Sequence, residues 1–362
     1  MRYVLIFLLS FISLLWSQTA TRTEFKTPDI PNVQVMKCDF HTHTVFSDGQ
    51  VWPSFRVEEA WKNGLDAIAL TDHLEYAPHK DDLVHDLNRA YEIGEYTAQA
   101  YDIIVIRGAE ITRDMPPGHL NAIFLKDANA LKTDTWREAV KAAVDQGAYV
   151  FWNHPGWKKQ QPDEIARWYD EHTEMLEKGW MHGIEVVNYK FYYPNVHEWC
   201  KEKNLAMIGN SDIHSTVHND FEQDGHRPLT LVFTKERSKE SIKQALHAGH
   251  SVAYFRDDLI GPEKWLNALL EHSLVRKFEW LSPDKERGRL MIKNTSDFVF
   301  NLKFENADKI GVPEEYTIPG STTVLIAIKK PKQIDNVILS GSVINLRTSP
   351  EEGLAFSWPL GN

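Results

Sequence analysis

Nine residues of metal-binding type fall where strand-like runs end. The run from Val35 leads into Asp39-Phe40-His41-Thr42-His43, and Asp48 follows in Thr44-Val45-Phe46-Ser47-Asp48-Gly49. Residues two apart in an extended chain face one side, so His41 and His43 can offer two imidazoles to one ion. Asp48, on the turn, can reach a neighbouring ion. A second run ends Ala69-Leu70-Thr71-Asp72-His73, and a third ends Arg107-Gly108-Ala109-Glu110, whose carboxylate can bridge two cations. His119 opens the next run after Met115-Pro116-Pro117-Gly118. Phe151-Trp152-Asn153-His154-Pro155 and Gly209-Asn210-Ser211-Asp212-Ile213-His214 close two more. Taken singly, each is equally a capping Asp or a packed His. Together they are six His and three carboxylates with no thiolate, a donor set that suits manganese, iron or zinc and is large enough for three sites.

The elements that must position these groups alternate along the chain. Strands are expected at 35–40, 66–70, 103–106, 120–125, 148–152, 183–187, 205–208 and 229–233, with helices at 57–63, 83–101, 136–146, 165–177, 195–203 and 238–248. That order predicts an α/β fold of parallel strands with helical crossovers. No glycine-rich dinucleotide loop is present, which favours a closed or distorted barrel over an open sheet. In such a barrel the strand ends converge on one face, where the ligands would meet. Beyond Gly261-Pro262 the character changes. A linking helix is expected at 264–271, and 278–359 carries short alternating runs separated by turns, the pattern of a small β-sandwich. The expected organisation is a barrel over residues 18–260 and a linker helix with a β-sandwich-like C-terminal domain over 261–362. The C-terminal part, almost free of histidine, is expected to play a supporting role.

The segments HTHTVFSDG, TDH, GAE, NHP and NSDIH, in this order, resemble the PHP (polymerase and histidinol phosphatase) family over about residues 36 to 255. The resemblance implies a distorted (β/α)7 barrel that holds three divalent metal ions, manganese first, with zinc or iron as alternatives. By motif it gives the first ion His41, His43, Glu110 and Asp212. It gives the second ion Glu110 as a bridge with His119 and His154, and the third Asp48, His73 and His214. The layout, with an N-terminal apolar segment, the NHPGW stretch and a β-rich tail, is similar to exported bacterial phosphodiesterases of the Sb-PDE type.

Such a centre implies a phosphoesterase acting on small organic phosphodiesters, with a metal-bridging hydroxide as nucleophile. No GxSxG elbow or catalytic cysteine context suggests a protein nucleophile. His218 is the candidate general acid for the leaving group, and Asp72 a candidate group orienting a ligand. Arg227, Lys190 and Arg113 are candidates for phosphate contact from the rim, and Trp52, Trp157, Phe191, Tyr192 and Tyr193 for the organic part of the substrate. The alternatives are a phosphomonoesterase and a metal-binding module without catalysis.

Composition bounds these readings. With 42% apolar and 25% charged residues the chain is of globular type, and its formal charge of −11 argues against stable nucleic-acid partners. Met1-Arg2-Tyr3 and the apolar stretch to Trp16 read as a signal peptide over residues 1–17, or up to about 20, with Ser17-Gln18-Thr19-Ala20 supplying the cleavage region. No later stretch is apolar enough to span a membrane, so the expected location is periplasmic or secreted. Cys38 and Cys200 fit no metal or redox pattern and read as buried thiols, although export leaves a disulfide open.

Overall fold

The computed structural model describes residues 21–305, 307–329 and 337–360. The segment expected to be a signal peptide lies outside them. The first part contains strands β1 (Gln34–Asp39), β2 (Ala67–Leu70), β3 (Ile104–Ile111), β4 (Leu120–Ile123), β5 (Tyr149–Trp152), β6 (Gly183–Asn188), β7 (Phe191–Tyr192), β8 (Ala206–Asn210), β9 (Leu229–Thr234), β10 (Ser251–Phe255) and β11 (Asp258–Ile260). Helices α1 (Pro53–Lys62), α2 (Leu87–Ala98), α3 (Trp136–Asp145), α4 (Asp170–Glu177), α5 (Pro194–Lys203), α6 (Val217–Phe221) and α7 (Lys239–His247) are interspersed.

The sheet runs β10-β9-β1-β2-β3-β4-β5-β6, with β8 paired to β6. It curls until β8 meets β9 and β10. There the contacts are side chain to backbone: Thr230 Oγ1 accepts from Gly209 N at 3.0 Å and donates to Gly209 O at 2.8 Å, and Ser251 Oγ donates to Met207 O at 2.9 Å. The barrel is thus distorted at this seam. Not all strands are parallel, contrary to expectation. β4 is antiparallel to both β3 and β5, and β9 is antiparallel to β1 and β10. Only eight residues separate β3 from β4, too few for the crossover that parallel strands require. The reversal puts the start of β4, and with it His119, at the same end as the close of β3. The helix expected at 165–177 forms only over α4; in the loop before it Arg167 turns back to bond Gln161 Oε1 and Asp163.

One face of the sheet packs Met36, Cys38, Ala67, Ile106, Tyr149, Phe151 and Ile208 together. Ile242, Ala245 and Leu246 of α7 join this cluster near the N-terminal strand ends, leaving the other end open for the ligands. Cys38 and Cys200 are buried free thiols.

The second part follows α8 (Glu263–Ser273). It comprises β12 (Leu274–Trp280), β13 (Arg287–Asn294), β14 (Phe300–Phe304), the short α9 (Ala307–Ile310), β15 (Glu315–Ile318), β16 (Thr323–Lys329), β17 (Val337–Arg347) and β18 (Gly353–Leu360). Sheet β12-β13-β16 faces the strands β15-β14-β17-β18, a small sandwich. Alternating burial along β13 and β18 fits strands with one face in a core. The two parts are not separate bodies. β11 pairs in parallel with β17, Leu259 opposite Leu346, so one sheet crosses from barrel to sandwich. One apolar cluster likewise joins Ile68, Val105 and Leu231 to Leu266, Leu269, Ile292 and Phe300. No helix among the described residues is long and apolar enough to cross a membrane.

Candidate metal centre

β1 delivers His41 and His43 through a loop that one buried carboxylate fixes. Asp72, just past β2, accepts bonds from Thr44 N at 2.7 Å, Thr44 Oγ1 at 2.8 Å and Ser47 Oγ at 2.7 Å. Its bonds shape the His43–Asp48 turn, so it positions ligands. A Cβ on Gly49 would meet Thr44 N at 2.5 Å, and the turn that presents Asp48 therefore requires glycine.

Glu110, at the end of β3, is the hub. Its oxygens lie 2.7 Å from His73 Nδ1, 2.9 Å from His119 Nδ1, and 3.5 Å from the Nε2 atoms of His41, His43 and His154. Asp212 Oδ1 lies 3.1 Å from Nε2 of both His41 and His43. Asp48 Oδ1 lies 3.1 Å from His214 Nε2 and 3.4 Å from His73 Nε2. The structure thus gathers all nine residues into four overlapping groups: His43-Asp48-His73-His214, His41-His43-Asp212, His41-Glu110-His154 and His73-Glu110-His119.

These residues fit divalent ions. His41 Nε2, Asp48 Oδ1 and Glu110 Oε2 are buried yet make no hydrogen bond of acceptable geometry. Buried polar atoms are rarely left so. Ligand atoms at about 2.1 Å from a shared ion stand about 3.0–3.4 Å from one another; the Asp212 and Asp48 contacts, at 3.1–3.4 Å, have that spacing, and those of Glu110 lie to either side of it, between 2.7 and 3.5 Å. Without ions, the charges press on each other. Burial favours the neutral form of His41, but Asp212, Glu185 and Glu110 outweigh it and raise its pKa well above the usual range. Burial, with His214 and His73 nearby, drives His43 down to about 3. His214 is pushed up to about 9, against burial, by Asp48 and Asp212. Glu110 is held well below the carboxylate range by His73, His41 and His119, again against burial.

Glu185, in the middle of β6, was not among the sequence candidates. It is fully buried. Its Oε1 meets His41 Nδ1 at 2.8 Å and accepts from Asn210 Nδ2 at 2.9 Å. Its Oε2 accepts from His154 N at 2.7 Å and Asn188 Nδ2 at 2.8 Å. The first contact turns His41 Nε2 toward the centre. The His154 contact braces a residue at φ 29°, and Asp212, at φ 52°, donates its N–H to His41 O at 2.9 Å. Left-handed backbone at two non-glycine ligands is costly and is sustained only by such bracing.

Above the ligands opens a cavity of about 930 Å³, reached by Asp48, His73, His119, His154, Asp212 and His214. The cations expected on its rim are elsewhere. Arg227 is only 1% exposed and bonds Asp39 at 3.1 Å and Asn63 at 2.9 Å. Lys190 pairs with Asp224 at 3.0 Å, and Arg113 with Glu75 at 2.8 Å. None of the three lines the cavity. His218 is 74% exposed, faces Glu222 at 3.7 Å and borders a different cavity, so the general-acid assignment is not supported by its place. Lys158 and Lys159, directly after NHPGW, are the Lys or Arg side chains that line the ligand cavity among the described residues. Trp157, Phe191 and Tyr193 line it as well, whereas Trp52 and Tyr192 do not.

Comparison with known proteins places this geometry. A family model for an Ig-like domain matches residues 281–359. The crystal structure of a two-domain protein from Bacteroides vulgatus ATCC 8482, containing a predicted PHP-like metal-dependent phosphoesterase, superimposes with a TM-score of 0.89. It is 43% identical and covers 94% of this chain and 99% of its own. The uncharacterized protein MJ1295 of Methanocaldococcus jannaschii is 29% identical over 191 residues, which make up 50% of this chain and 82% of that protein. The PHP domain model matches residues 39–255, the stretch that carries all nine ligand candidates, and the chain belongs to the PHP domain family.

Proposed function

We propose that this chain is a metal-dependent phosphoesterase, and that its substrates are small organic phosphodiesters. The observation that carries the reading is Glu110, whose two oxygens stand among five imidazoles at the floor of an open cavity. The donor set suits three ions, manganese first and zinc or iron next. Divalent ions bound there supply Lewis-acid stabilisation of phosphoryl oxygens and activation of water. The chain's own residues do the rest. Glu185 and Asp72 hold the ligand loops, and Lys158 and Lys159 offer positive charge at the rim to an anionic ester. The relative from Bacteroides vulgatus, containing a predicted PHP-like metal-dependent phosphoesterase, supports the reaction class.

The test is turnover of bis(p-nitrophenyl) phosphate and p-nitrophenyl phosphate by manganese-loaded protein, with metal content measured on the same sample. Faster diester hydrolysis, abolished in Glu110→Gln, is expected. A faster monoester rate would make the chain a phosphomonoesterase, and full loading without turnover would leave a metal-binding module. We also propose that residues 1–17, or up to about 20, direct export to the periplasm or beyond. Mass spectrometry of the protein from its native cells should then show that segment removed.

A further inference from the structure

Two aromatic rings stand beside different histidines of the ligand cluster. The Tyr76 ring lies 6.0 Å from that of His73, which joins the group of Asp48 and His214 to Glu110. The Trp157 ring lies 5.4 Å from His119 and 5.2 Å from His154, both beside Glu110. Both line the cavity above the ligands, and Tyr76 is 52% exposed at its mouth. The Trp157 side is a wall, because Tyr193 closes against the loop. A Cβ on Gly156 would meet the Tyr193 ring at 2.8 Å, so only glycine lets the two approach. Phe191, 49% exposed, extends this wall. Exposed aromatic faces inside a concave site mark where an apolar part of a ligand rests.

A phosphate held over the cluster has one substituent as a monoester and two as a diester. We infer that this site takes phosphodiesters with a planar ring on each substituent, one stacked on Tyr76 and the other on Trp157. The inference rests on the phosphoester reading and narrows it to a substrate class. Lys158, which pairs with no carboxylate among the described residues, and Lys159, whose Nζ lies 5.1 Å from the Trp157 ring centroid, suit the single negative charge of such an ester.

The experiment is calorimetric binding to the manganese-loaded full chain of diethyl phosphate, ethyl phenyl phosphate and diphenyl phosphate. Each added ring should tighten binding by about 2- to 10-fold, the range of one aromatic contact. In Tyr76→Ala or Trp157→Ala only one of the two steps should remain, and in the double variant neither. Tyr76→Phe and Trp157→Phe should keep both, and metal content equal to that of the parent shows that the centre is intact. Equal constants for the three esters, or the same two steps in every variant, would overturn the two-ring assignment. Because the steps are read from binding, their absence is distinct from absence of turnover on nitrophenyl esters, which would overturn the phosphoester reading instead.

Discussion

Glu185 Oε1 sits 2.8 Å from His41 Nδ1, while its other oxygen holds the backbone N–H of His154 at 2.7 Å. One carboxylate thus sets the ring of one ligand and the main chain of another, on strands that are separated by more than a hundred residues. Groups that orient ligands in this way typically govern about 10- to 100-fold in metal affinity. Glu185→Gln should lose affinity in that range, read as metal retained against a competing chelator. Unchanged retention would remove Glu185 from the centre.

Arg227 and His218 should separate stability from activity. Arg227 and Asp39 form a buried pair, and removing one partner of such a pair typically costs about 3–5 kcal/mol. Arg227→Met should lower the urea midpoint strongly. His218→Ala, at an exposed position beside Glu222, should alter neither the midpoint nor kcat. A selective loss of kcat in His218→Ala would restore it as an acid.

Lys158 should act on substrate capture. Lys158→Ala should raise KM for a diester several-fold, with a smaller change in kcat and with the salt dependence of kcat/KM reduced. Equal salt dependence in parent and variant would show that the lysine does not face the substrate.

Metal binding should expel protons. In the metal-free chain His214 holds its proton up to about pH 9, against an ordinary value of about 6.5. Its stabilising pairing with Asp48 is therefore complete below the ordinary value and fades as pH rises through the higher one. His41 and His73 are raised too, whereas His43, driven down to about 3, has no proton to give near neutrality. An ion must displace those protons to bind. Calorimetry near neutral pH, in buffers of different ionisation enthalpy, should show net release, and none would mean that His214 is not a ligand.

Chelation should destabilise the fold. A ligand that binds only the folded state at a thousand times its Kd adds about 4 kcal/mol. The melting temperature should rise with manganese concentration in the parent and much less in Glu110→Gln.

The clustering of the nine candidate residues was readable because His41 and His43, two apart, directly follow a strand, and because Glu110, His154 and Asp212 each follow a β-branched or apolar run. Glu185 was missed although it left a signal, a carboxylate inside Gly183–Asn188, a strand buried throughout. Such a charge needs buried partners. The rim cations went astray for a different reason. Arg227 follows a turn as a phosphate ligand might, yet its carboxylate, Asp39, lies 188 positions away, and no local pattern announces that pairing. Strand direction was also open to argument, since the short link between Ile111 and Leu120 already forbids a helical crossover.

The parallel pairing of β11 with β17 has a consequence for how the molecule is made. β17 leaves the ribosome well after β11, and until it arrives β11 stays an open edge and the outer side of the early strands stays wet. The histidine-bearing part is therefore synthesised long before it can be secure. A protein shortened ahead of β17 should precipitate or be degraded; it should not persist as a smaller working enzyme.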